Sequence, residues 1–161
     1  MSVFKPDLMV NSLRDINLKL HWEKGKRGII LDLDNTIVLW NVVELNTEAQ
    51  SFLEEALALK YKIYLLTNAS RKRTENIAQK HDLSYIAPAF KPRKNAFLRA
   101  LKKMNLQKEE VLVVGDQIFT DIWGGNRVGC YTILVSPLSS REFIGTKILR
   151  LLEFFVKRKF I

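Results

Sequence analysis

Five short aliphatic runs, separated by stretches with helical spacing, constrain this chain more than any other feature. They fall at 28–33 (GIILDL), 61–66 (YKIYLL), 84–87 (SYIA), 111–114 (VLVV) and 131–135 (YTILV). Each has the length of a buried strand, and strands covered on both faces read as continuous apolar runs. The intervening patterns predict helices at about 47–59, 71–81, 93–105 and 119–128. Thr47 and Gln50 stand at capping-box spacing, followed by Leu53, Ala56 and Leu57 on one face. Pro92 suits a first helical turn, and Phe97, Leu98, Leu101 and Met104 form an inner face behind it. Strands alternating with helices imply right-handed crossovers and helices on both faces of a parallel sheet. The expectation is one α/β domain over 1–161, three layers deep, with about five strands in a core of about 25–136.

Composition narrows the class. A hydrophobic fraction of 47% excludes disorder, and the lone Cys130 excludes a disulfide scaffold. No apolar run approaches the ~18–20 residues of a membrane span. The start, MSVFKPDLMVNSLRD, lacks a cationic stretch followed by an apolar one, so no secretory signal is expected. The expected location is cytoplasmic, including the inner face of the membrane. There are 26 Lys and Arg against 17 Asp and Glu, a net charge of +9. That excess points to a nucleic acid, an anionic membrane or a phosphorylated substrate.

In a parallel sheet the functional crevice lies beyond the carboxyl ends of the strands. The first run ends in Asp32-Leu33-Asp34-Asn35-Thr36, the second in Thr67-Asn68, and the fourth in Gly115-Asp116, with Asp121 five residues on. Lys91-Pro92-Arg93-Lys94 follows the third. Carboxylates next to aliphatic runs are costly unless a cation is bound there. Gathered at one edge, these groups suit Mg²⁺ in an oxygen shell, a phosphoryl group, and a lysine against its charge. His21 and His81 have no Cys partner at zinc-ligand spacing.

The ordered set ILDLDNT, LLTN, KP and GDQIFTD resembles the haloacid dehalogenase-like phosphohydrolases over about 28–135. The Asn-Thr after the second Asp resembles their class III branch. GDQIFTDIWGGNRVG, with the upstream FKPDLM, resembles the YqeG family, which is similar to the phosphatidylglycerophosphate phosphatases of mitochondria and plastids. The resemblance implies a Rossmann-like sandwich with the first predicted strand central. It implies Asp32 as the nucleophile of an aspartyl-phosphate and Asp34 as general acid and base. Thr67 and the Asn68 backbone would hold the phosphoryl group, and Lys91 would neutralise charge. Mg²⁺ would lie on Asp32, Asp116 and the Asp34 carbonyl, while Asp121 would be a ligand or would orient Lys91. Arg71, Arg93 and Arg127 follow motif-bearing strand ends and are candidates for phosphate contact.

Thirty residues separate Thr36 from Thr67, and 23 separate Thr67 from Lys91. Neither gap holds a cap domain, and in the family such caps enclose small metabolites. An open site suits a phosphate presented on a lipid, a nucleic acid end or a protein. Trp40, Asn41, Val42 and Val43 belong to a flap near the mouth, with Trp40 readable equally as a packing residue. A helix over about 143–160 has Ile144, Ile148, Leu151, Leu152, Phe155 and Val156 on one arc. Lys147, Arg150, Glu153 and Lys157 lie opposite. It reads either as a final crossover helix or as a basic amphipathic helix at a membrane surface. The leading expectation is a Mg²⁺-dependent phosphatase acting on phosphatidylglycerophosphate. A nucleotide or nucleic-acid-end phosphatase and an RNA- or ribosome-associated binding protein are the alternatives.

Overall fold

Among the described residues, six strands, all parallel, form an open sheet in the order β1-β6-β5-β2-β3-β4. They are β1 (Leu8–Val10), β2 (Gly28–Leu31), β3 (Lys62–Leu66), β4 (Ser84–Ile86), β5 (Val111–Gly115) and β6 (Tyr131–Val135). The helices are α1 (Leu18–Glu23), α2 (Thr47–Ala58), α3 (Arg71–Lys80), α4 (Lys94–Met104), α5 (Trp123–Val128) and α6 (Ile144–Lys157). This computed structural model describes residues 2–139 and 144–159, with side chains of α6 from residue 149 onward.

The two central strands, β2 and β5, are buried along their whole length, which is why their sequences are continuously aliphatic. Alternation decides which side each residue serves. Ile29 and Leu31 join Phe52 and Leu53 of α2 and Ile77 of α3 on one face. Ile30 and Val113 meet Phe97, Leu101 and Met104 of α4 on the other. The result is the expected three-layer α/β/α fold.

The sixth strand is β1, which the sequence reading lacks. It is three residues at an edge, pairing Leu8, Met9 and Val10 with Ile133, Leu134 and Val135. Only one side of it is paired, and its apolar run, Leu8-Met9-Val10, is just three residues long. Met9 is 45% exposed. Asn126 ties down the segment before it, donating from Nδ2 to the carbonyls of Val3 (2.9 Å) and Lys5 (2.8 Å).

Three local expectations are corrected. The N-cap of α2 is Asn46, accepting from the Ala49 N–H at 2.7 Å, while Gln50 reaches back to the Leu45 carbonyl. Its neighbour Thr47 is already inside the helix. Leu57 and Leu98 point to solvent; the inner faces are Ala49, Phe52, Leu53 and Ala56 in α2, and Ala96, Phe97, Ala100, Leu101 and Met104 in α4. Small alanines at those positions let each helix approach the sheet. The helix expected over 119–128 begins as a π-turn, Ile118–Ile122, before α5. Gly124 and Gly125 are packing glycines: a Cβ on Gly124 would lie 2.4 Å from the Phe97 ring, and one on Gly125 2.7 Å from Thr132.

Candidate active site

Chain order runs outward from β2 to β3 and β4, then returns to β5 on the other side of β2. The carboxyl ends of β2 and β5 therefore mark the switch point where a crevice opens. Asp32 follows β2 and Asp116 follows β5. The Asp32 N–H donates to the Val114 carbonyl at 3.0 Å, so the ladder itself sets the two carboxylates side by side. Asp121 joins them from the π-turn, and the three offer oxygens within 4.8 Å of one another. Gly115 makes this approach possible, because a Cβ there would lie 2.3 Å from the Asp121 carboxyl carbon.

All three acids are buried. The Thr36 hydroxyl lies 3.2 Å from both Asp32 Oδ2 and Asp116 Oδ1. Lys91 Nζ lies 2.6 Å from Asp32 Oδ1 and 2.6 Å from Asp121 Oδ1. Burial opposes the charge on that ammonium, but the two carboxylates outweigh it and hold the lysine above its ordinary range. Burial pushes Asp121 up to about 7, against the pull of Lys91. It pushes Asp116 well above the usual carboxylate range, with the Asp32 charge adding and Arg150 opposing. Such crowding of hard oxygen donors fits a divalent cation such as Mg²⁺.

The second acid of the motif stands apart from this cluster. Asp34 Oδ1 accepts from Arg73 Nη2 at 2.7 Å and Nε at 3.2 Å. Burial raises its pKa while the Arg73 hydrogen bond opposes the rise. The same guanidinium donates to the carbonyls of Val42 (2.8 Å) and Leu39 (3.3 Å). Arg73 thus joins the acid to a flap pinned by the antiparallel Val38–Leu45 bridge. Trp40 stands 42% exposed on that flap. Between Asp34 and Thr36, Asn35 takes the left-handed conformation (φ 60°), which Asn tolerates better than most residues.

Thr67 is buried at the end of β3, its hydroxyl accepting from the Ala69 N–H at 3.0 Å. Asn68 clamps the backbone of Lys91: Oδ1 accepts from the Lys91 N–H at 2.7 Å and Nδ2 donates to the Lys91 carbonyl at 3.2 Å. The residue whose backbone is expected beside the phosphate thus also positions the lysine with its side chain. The three arginines proposed for phosphate contact are exposed. Arg127 lies over the Trp123 ring and donates to the Pro92 carbonyl, and Arg93 lies over Phe90. These described partners lie outside the carboxylate cluster. Cys130 is buried, and burial pushes its thiol up to about 12.

Arg150 and Glu153 of α6 complete the site, beyond the residues that the sequence motifs point to. Arg150 donates to both the carboxylate and the backbone carbonyl of Asp116. Glu153 Oε1 accepts from the Ile118 N–H at 2.6 Å and the Phe119 N–H at 3.3 Å. Helical spacing had placed both on the polar arc, the only signal available. Of the apolar arc, the side chains of Ile144 and Ile148 lie outside the described residues, as do Lys147 and the ends of the expected 143–160 helix at 143 and 160.

Comparison with known proteins places the chain in a family. The haloacid dehalogenase-like hydrolase model matches residues 42–129. "Probable phosphatase YqeG" of Bacillus subtilis is 35% identical over 150 residues, covering 93% of this chain and 87% of that protein. The chloroplastic/mitochondrial phosphatidylglycerophosphate phosphatase 1 of Arabidopsis thaliana is 27% identical, covering 95% of this chain but 47% of its own length. A solved HAD phosphatase from Thermococcus onnurineus shares the fold, with TM-score 0.51 and 18% identity, over 63% of this chain and 51% of that one. The chain belongs to the haloacid dehalogenase-like hydrolase family, and within it to the phosphatases related to YqeG.

Proposed function

We propose that this phosphatase hydrolyses a phosphomonoester through an aspartyl-phosphate on Asp32, and that its substrate is lipid-borne, of the phosphatidylglycerophosphate kind. Asp32 attacks phosphorus while the bond to the alcohol oxygen breaks, and Asp34 gives that oxygen its proton. The raised pKa of Asp34 favours the protonated form this step needs. Asp34 then takes a proton from water, whose oxygen attacks phosphorus and releases inorganic phosphate with Asp32 restored. Thr67 and the Asn68 backbone hold the phosphoryl oxygens, and Lys91 keeps the Asp32 carboxylate oriented and its charge balanced. Mg²⁺, held by Asp32, Asp116 and the backbone carbonyl of Asp34, would supply positive charge against the phosphoryl oxygens.

One observation carries the lipid assignment. Leu39, Trp40, Val42, Val43, Phe90, Leu151, Leu152, Phe154 and Phe155 are all exposed large apolar side chains. They come from three segments, and each segment is tied to the site: the flap through Arg73 and Asp34, Phe90 as the neighbour of Lys91, and α6 through Glu153 and the N–H groups of Ile118 and Phe119, just beyond Asp116. Exposed apolar groups on segments that also reach a polar site favour a substrate whose phosphate sits at the edge of an apolar phase. No helix among the described residues is long and apolar enough to cross a membrane. Contact with an anionic lipid surface would be peripheral, aided by the charge of +9.

A phosphate-release panel with Mg²⁺ tests both parts. Phosphatidylglycerophosphate in vesicles, nucleotides and an aryl phosphate are compared for the native protein and Asp32→Asn. Lipid turnover well above the others, abolished in Asp32→Asn, is expected. Preference for nucleotides would overturn the substrate, and turnover that survives Asp32→Asn would overturn the mechanism.

A further inference from the structure

An amphipathic helix on a globular protein ordinarily turns its apolar face inward. In α6 the described face is reversed. Leu151, Leu152, Phe154 and Phe155 are 51–62% exposed, whereas Glu153 is 1% exposed. The helix packs on the π-turn at 118–122. Its inward contacts are polar: Glu153 accepts the N–H groups of Ile118 and Phe119, and Arg150 Nη1 lies 3.1 Å from Glu153 Oε2. The guanidinium of Arg150 also meets the Asp116 carboxylate and carbonyl. Close by, a cleft of about 310 Å³ stays open between the strand ends of β1 and β6 and Lys157 of α6. Among its described side chains, charge more than apolar burial holds this helix down.

The site's charge balance says why. Asp32, Asp116 and Asp121 crowd together, and Lys91 reaches Asp32 and Asp121. Buried carboxylates left uncompensated are costly, so the remaining negative charge draws in a cation or protons. Arg150 answers it at Asp116, the carboxylate on which a divalent ion would also depend.

We propose that Arg150 is a built-in occupant of the cation position. With α6 docked, the guanidinium neutralises Asp116; with a divalent ion bound, that carboxylate is taken and α6 loses its anchor. The two states exclude each other at one carboxylate, so the helix weakens ion binding by the same factor as the ion loosens the helix. The inference rests on the reading that these carboxylates hold a divalent cation, and it concerns binding alone, whatever the phosphomonoester.

Calorimetric titration with Mg²⁺ and hydrogen exchange over residues 149–157 test it on the full chain. Arg150→Ala should bind Mg²⁺ about tenfold more tightly, within the usual range of coupling between two sites. Glu153→Gln keeps the guanidinium but weakens the hold on Ile118 and Phe119, and should shift affinity the same way. Saturating Mg²⁺ should speed exchange across α6 in the native protein, and Asp116→Asn should do so without metal. Equal or weaker Mg²⁺ binding in both variants overturns the proposal, as does α6 exchange that Mg²⁺ leaves unchanged. Absence of binding by the native protein and both variants would instead overturn the cation reading itself, and the competition with it.

Discussion

Replacing Lys91 with Met keeps the reach of the side chain and removes its charge. The ammonium lies 2.6 Å from Asp32 Oδ1 and 2.6 Å from Asp121 Oδ1, and its side chain is only 3% exposed. Removing one partner of a buried pair costs about 3–5 kcal/mol, because the other charge stays buried without compensation. Here two carboxylates lose their partner together, and water cannot replace it. The acids must then take up protons. Asp121 already sits at about 7 with Lys91 present, far above the 3.8 of an ordinary aspartate. Without the lysine it rises further, so the folded variant binds a proton where the unfolded chain does not. Stability of Lys91→Met should therefore fall as pH rises, by about 1.4 kcal/mol per pH unit for each extra proton held in the native state. The deficit should be greatest at pH 8 and smaller at pH 6 by about 1.4 kcal/mol, because the native protein, with its own Asp121 at about 7, gives up about half of the variant's loss over that span. Urea unfolding in the absence of divalent metal measures it: with a slope near 2 kcal/mol per molar, the midpoint should drop by ~1.5–2.5 M at pH 8. A drop below about 0.5 M, or one equal at both pH values, would refute the view that Lys91 compensates buried carboxylates.

Arg73→Ala removes the hydrogen bond that restrains the pKa of Asp34. The limb of the kcat/KM profile that reports this acid should move to higher pH, and amides across residues 39–42 should exchange faster. Gly115→Ala places a methyl group where Asp121 stands, 2.3 Å from its carboxyl carbon. It should cost about 1–3 kcal/mol in urea unfolding and weaken Mg²⁺ binding by calorimetry. Cys130, buried and with its thiol pushed up to about 12, should resist thiol reagents at pH 8 until the protein is unfolded in urea.

The strand–helix alternation was legible because burial on both faces leaves a plain mark: β2 and β5 are aliphatic throughout. The short edge strand β1 left no such mark, since it is paired on one side and half-exposed. Helix faces were read less well. The spacing that put Leu57 and Leu98 inside is satisfied equally by a face two residues wide, and the inward positions went to Ala56 and Ala100, where small side chains allow close approach to the sheet. Asp32, Thr67, Lys91 and Asp116 could be named in advance because residues that follow parallel strands reach one edge whatever lies between them. Arg73, Arg150 and Glu153 belong to the same neighbourhood, but the groups they meet there are distant in sequence: Arg73 meets Asp34 from 39 positions away, Arg150 meets Asp116 from 34 and Glu153 meets the Ile118 N–H from 35.

By itself, then, the sequence determined the parallel sheet and the acids and lysine at its carboxyl edge, because hydrophobic periodicity and strand-end position are local properties. Tertiary structure alone decided which cations those acids meet. It seated Lys91 between Asp32 and Asp121, turned Arg73 onto Asp34, and brought Arg150 to Asp116. It also decided which face of α6 points inward. Periodicity reveals that a helix has an apolar side, but the side that docks depends on the surface it meets. Here that surface is a buried carboxylate and two backbone N–H groups, so the polar side was drawn in and the phenylalanines were left outside.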